Sequence, residues 1–212
     1  MKKISYLIIA VGLAACGNQR AGNNSASADS SVAVKPDAPA VDLTVPALPA
    51  DYIKLDLSRI GLSATAMVPG KADVQQSTLD DNEGKRNDYI IYAFDVPSGD
   101  SSIDSLGGIP AEIDIHTTAW TLQQHKDNIK NSSILHWNRF VKEEPDYFMY
   151  TTSPVNSMNQ PIRAKDREVF QFVLLVRSKK DGKQYCIRSS DSFDLTAEQM
   201  LKLFAIAKSI EI

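Results

Sequence analysis

The stretch VFQFVLLVRSKKDGKQYCIRSS, Val169 to Ser190, decides the fold. It opens on an apolar run from Val169 to Val176, whose length and β-branched content suit a buried strand better than a helix. Asp181-Gly182 within KKDG is a hairpin signal, because tight hairpin turns need a positive φ that glycine adopts at no steric cost. KQYCIRSS then returns as the partner strand. Pairing here is antiparallel.

Downstream, LTAEQMLKLFAIAKSI places Thr196 and Gln199 in the spacing of a helix capping box. Met200, Leu203, Phe204, Ala207 and Ile210 follow at helical spacing on one face. That face requires an apolar partner, and the Val169–Val176 run is expected to be the central strand beneath it. Upstream, YIKLDL alternates Ile53, Leu55 and Leu57 with polar residues, and LSATAMVP continues a strand-like run to Pro69. DDNEGKRN marks a turn between ADVQQSTL and DYIIYAFDV, AEIDIHTT alternates again, and SILHWNRFVKEE with PDYFMYTTS forms another pair. A second helix is expected from near Thr118, with Trp120, Leu122 and Ile129 as its apolar members. Asp51 to Ile212 suffices for one domain, since chains of about 150 residues bury roughly 70% of their unfolded surface. The expected fold is α+β, a single domain in which an antiparallel sheet is covered by helices, including the C-terminal amphipathic one.

The order of these elements, from YIKLDL through a Pro-ended strand, a middle helix, a late hairpin and a closing helix AIAKSIEI, is similar to the PsbP-like fold. That fold occurs in photosynthetic extrinsic proteins and in bacterial envelope lipoproteins of the DcrB type. The family has no shared catalytic motif to transfer. The resemblance implies an accessory or binding role, not an enzyme.

The first 50 residues are of another kind. Lys2 and Lys3 precede an apolar stretch, Ile4 to Val11, which has the layout of a secretory signal and is shorter than the about 20 residues needed to span a bilayer. Leu13-Ala14-Ala15-Cys16 resembles the lipobox of bacterial lipoproteins, in which the cysteine thiol takes a diacylglycerol, the chain is cut before it and the new amino group is acylated. A normal signal peptide with an incidental cysteine is the plainer alternative, but Leu13 fits its small-residue cleavage pattern badly. Lipid on Cys16, from more than one chain, implies stable attachment to a membrane leaflet. Residues 1–15 are thus expected to be a signal peptide, and residues 16–50, rich in Ser, Asn, Ala and Pro without an aromatic, a disordered tether. Gly17 stands where an Asp would resemble an inner-membrane retention signal. The expected location is the outer membrane, on its periplasmic face.

The formal net charge of −3 becomes more negative once Lys2 and Lys3 are lost, so the totals suggest no nucleic-acid partner. Gly-rich phosphate loops, H-E-x-x-H, G-x-S-x-G and C-x-x-C are all lacking, and the chain is expected to be non-enzymatic and without a cofactor beyond the lipid. If Cys16 is lipidated, Cys186 has no disulfide partner. It reads as a buried inert thiol, or else as a catalytic one if a histidine is positioned beside it.

Glu112, Asp114 and His116 alternate along AEIDIHTT and share one face of a strand. They could bind a divalent metal or share a proton, although the solvated face of a half-covered sheet has the same pattern. His125 and His136 could join them only through tertiary packing. Trp137, Phe140, Tyr147, Phe148 and Tyr150 are either cross-strand sheet pairs or an open aromatic groove for a ligand or peptide. Arg177, Lys179, Lys180, Lys183 and Arg188 crowd the late hairpin, as a solvated turn or a basic tip. Arg163 and Lys165 lie in a long polar connection after Pro154, of a length that favours partner contact. An envelope protein partner is expected at the aromatic strands, a sheet edge or that connection.

Overall fold

The computed structural model describes residues 41–81, 84–97, 110–131, 136–154, 168–190 and 194–212. The strands in chain order are β1 (Ile53–Asp56), β2 (Thr65–Val68), β3 (Asp73–Asp81), β4 (Gly84–Pro97), β5 (Pro110–Thr117), β6 (His136–Glu143), β7 (Tyr147–Pro154), β8 (Val169–Arg177) and β9 (Gln184–Ser189). Helix α1 spans Leu122–Asn131 and helix α2 spans Ala197–Lys208. The protein is therefore α+β. The signal segment, Cys16, the tether as far as residue 40, Arg163 and Lys165 lie outside the described residues.

Seven strands form one sheet in the order β3-β4-β5-β9-β8-β7-β6, with every neighbouring pair antiparallel. β8 and β9 pair as the Asp-Gly signal predicts, and Gly182 takes the positive φ, 71°, that the turn requires. The centre of the sheet is β9 rather than β8, because β5 docks on the far side of the hairpin. β1 and β2 form a separate two-stranded sheet, in which Ile53 is 49% exposed and only the end of the alternation, Leu57, is fully buried.

Helix α2 crosses the large sheet and supplies the main core. Thr196 Oγ1 accepts the Gln199 N–H at 3.3 Å, and the Gln199 side chain accepts the Thr196 N–H at 2.8 Å, closing the capping box. Met200, Leu203, Phe204, Ala207 and Ile210 are buried as their spacing predicts. Leu201, Ala205 and Ile206 are buried as well. The second sheet joins at the helix end: Glu211 bridges Thr65, and Ser209 Oγ accepts the Met67 N–H at 2.9 Å, so β2 is pinned there. The Phe204 ring sits 4.7 Å from Tyr147 and 5.1 Å from Phe172.

Two expectations change. The chain packs from Val41 rather than Asp51, because Leu43, Val45 and Leu48 lie on the core and Lys142 Nζ donates to the Leu43 carbonyl at 3.2 Å. The last ten residues of the expected tether therefore belong with the domain. Helix α1 begins at Leu122, after Trp120, because Thr121 and Gln124 cap it: Gln124 Oε1 accepts the Thr121 N–H at 2.7 Å and Thr121 Oγ1 accepts the Gln124 N–H at 3.3 Å.

Candidate functional site

β5 positions the residues singled out by alternation. Ala111, Ile113 and Ile115 are fully buried on the α2 side, so Glu112, Asp114 and His116 project from the opposite face. Register then builds rows across that face. Asp88, His116 and Cys186 stand side by side on β4, β5 and β9, and Ile90, Asp114 and Arg188 form the next row. Helix α1 covers the other half of the face, where Phe148, Tyr150, Val173 and Cys186 form a small apolar patch with Leu122, Ile129, Phe140 and Leu175 around it.

The electrostatics of the face are those of paired charges. Arg86 binds Asp88 through two contacts, of 2.8 and 3.3 Å, and Arg188 lies 3.6 Å from Asp114. Burial pushes Glu112 above the usual carboxylate range, and the neighbouring Asp114 adds to this. Tyr92, directly opposite Glu112, is raised by burial and by that carboxylate. His116 is only 6% exposed, and burial together with the Arg86 and Arg188 charges pushes its imidazole down to about 4. Its ring is neutral at physiological pH. Its Nδ1 is buried with no hydrogen-bond partner among the described residues.

The three residues of the metal expectation lie in a row rather than around one point. Glu112 and His116 share a face but sit four residues apart, about 13 Å along an extended strand, while Asp114 between them is engaged by Arg188. Among the described residues no three His, Cys, Asp or Glu side chains gather as a metal would require.

Cys186 has His116 directly across the strand pair, the arrangement a thiol nucleophile would need, yet the protonation runs the other way. Burial pushes the Cys186 thiol up to about 12. Thiol and imidazole are both held neutral, the reverse of an activated thiolate pair.

His125 is brought to the same face. It lies half-buried on α1, its Nε2 3.4 Å from Thr118 Oγ1 and its ring 5.3 Å from Trp120, and burial and the Arg188 charge push its imidazole down. His136 stays apart and exposed at the start of β6.

The aromatic groove is likewise corrected. Tyr147 is buried against Phe204 on the α2 side, whereas Phe148 and Tyr150 are buried on the α1 side, where the Tyr150 hydroxyl donates to Gln171 Oε1 at 2.9 Å. Neighbours along a strand point to opposite faces, so these rings cannot line one groove. Trp137 is the exposed member of the set, 45% exposed on edge strand β6. The basic tip is also smaller than the sequence suggests. Arg188 faces Asp114 within the sheet, Lys180 Nζ donates to Ser63 Oγ at 2.8 Å, and Lys183 pairs with Asp181.

Sequence reasoning overlooked Arg86 and Asp88, in KRNDY, and the Thr121/Gln124 cap. The cap had a legible signal, since it repeats the spacing recognised at Thr196. Compared with known proteins, the chain matches no family model, and no curated protein or solved structure is significantly similar to it.

Proposed function

We propose that this protein is a lipid-anchored bacterial envelope protein whose α+β domain is a non-enzymatic interaction module. The lipobox-like Leu13-Ala14-Ala15-Cys16 supports the anchor, and with it the outer membrane as location. A PsbP-like fold is part of this reading, supported by the antiparallel sheet crossed by a C-terminal helix. The observation that carries the non-enzymatic part is the state of the two most reactive side chains: Cys186 and His116 face one another with both groups sealed and neutral.

Partner contact is assigned to the outer edge of β6 around Trp137. An edge strand offers unpaired backbone groups to a further strand, and an exposed tryptophan is the residue type most enriched at binding hot spots. The test is in-cell photocrosslinking from a benzoylphenylalanine replacing Trp137, with the same probe at Lys202 on α2 as control. One envelope protein recurring from position 137 alone supports the module. Identical products from both positions, or none although the protein is abundant, refute it. A Cys16→Ala variant should leave the membrane fraction; retention there removes the anchor from the proposal.

A further inference from the structure

Helix α1 is an unusual cover for an apolar patch. Its sheet-facing positions are Leu122, His125, Lys126 and Ile129, none of them fully buried, so half of the stripe is titratable or charged. Among the contacts that hold the helix, Asn138 Nδ2 donates to the Ile129 carbonyl at 3.0 Å, Lys126 pairs with Glu143 and lies over the Phe148 ring, and Lys130 lies over Phe140. Beneath it are Phe148, Tyr150, Val173 and Cys186.

The His125 ring meets Thr118 and Trp120 and feels the Arg188 charge. Its neighbour His116 feels Arg86 and Asp88 of β4 and Arg188 of β9 and stands between Asp88 and Cys186, with Asp114 two residues before it on β5, while Glu143 of β6 meets the helix at Lys126. Each carboxylate of this set is already engaged by a cation: Asp88 by Arg86, Asp114 by Arg188, and Glu143 by Lys126. Glu112 lies at the far end of the β5 row. A proton added to His125 or His116 therefore meets like charge, with each carboxylate of this set already paired. The His116 ring, only 6% exposed, recovers its hydration only if its cover moves.

We propose that α1 is an acid-released cover: protonation of His125, assisted by His116 beneath it, lifts the helix from the sheet and exposes the Phe148, Tyr150, Val173 and Cys186 patch. Both imidazoles resist protonation in the closed state, so mild acid below their ordinary titration range favours the open one.

Hydrogen exchange of the full-length protein between pH 6.5 and 5, corrected for intrinsic rates, tests this directly. The opening equilibrium of the α1 amides should rise about tenfold per pH unit for each imidazole that charges on opening, whereas the β8 and β9 amides, which open only with the whole domain, should stay protected by a larger factor throughout. His125→Gln should lower that slope, and adding His116→Gln should flatten it. As a second readout on the wild type, Cys186 should become reactive to dithiodipyridine over the same range, read at its own peptide by mass spectrometry. The proposal is overturned if the α1 amides are protected by the same factor as those of β8 and β9, so that the helix opens only with the domain, if α1 protection is constant across the range, or if His125→Gln leaves the slope unchanged.

Discussion

His116 on β5 and Cys186 on β9 are direct cross-strand partners, and the same burial pushes their titrations in opposite directions, the imidazole down to about 4 and the thiol up to about 12. A desolvated site disfavours whichever form is charged, which is the imidazolium for one residue and the thiolate for the other. The pair is thereby kept uncharged across the physiological range.

Cys186 should be inert at neutral pH. A rise from 9.0 to about 12 lowers the thiolate fraction about a thousandfold, and burial adds a steric barrier. Labelling with a disulfide reagent at pH 7.5 should leave the Cys186 peptide unmodified in the native protein and modify it fully in denaturant. Fast native labelling would show that the site is open.

Stability should fall in mild acid. With His116 held near 4 in the folded chain against 6.5 in the unfolded one, both states carry a neutral ring above pH 6.5 and the folded state is at full stability. Between about 6.5 and 4 the unfolded ring takes a proton that the folded ring refuses, and about 3 kcal/mol of stability is lost before the curve levels. Glu112 acts oppositely at the acid end, since its raised titration means protonation relieves the folded state. Denaturant unfolding at several pH values should show this slope, and His116→Gln should reduce it.

Phe204 is fully buried and packs against two aromatic rings, Tyr147 and Phe172. Phe204→Ala should cost about 3–5 kcal/mol, because the Tyr147 and Phe172 rings are left facing a void. Chemical denaturation measures it, and a loss below 1 kcal/mol would mean that the helix is not docked as described.

Thr196→Ala should remove one half of the capping box and cost about 1 kcal/mol, whereas Thr196→Ser should be nearly neutral because its hydroxyl can make the same contact. Thermal melts of the two variants, compared at one pH, separate lost capping from lost packing.

Local signals were legible where neighbours in sequence settle the outcome. The Asp181-Gly182 hairpin, the Thr196 cap and the buried face of α2 follow from backbone preference and side-chain spacing. The face shared by Glu112, Asp114 and His116 follows from strand pleat. What could not be read was which of two faces a helix would cover. Tyr147 and Tyr150 look alike as members of an aromatic run, yet one is buried under α2 and the other under α1. Likewise Ile53 alternates properly and still ends up exposed, because its strand joined a second small sheet.

By itself the sequence determined the α+β class, the antiparallel pairings of adjacent strands and the capped C-terminal helix, since each depends on interactions within a few turns or one hairpin. Only the tertiary structure decided that β5 would dock on β9. That long-range pairing sets His116 beside Cys186 and brings His125 and Arg188 to one interface. Such contacts are chosen by the burial of whole faces, an energy summed over the folded sheet rather than written at any one position.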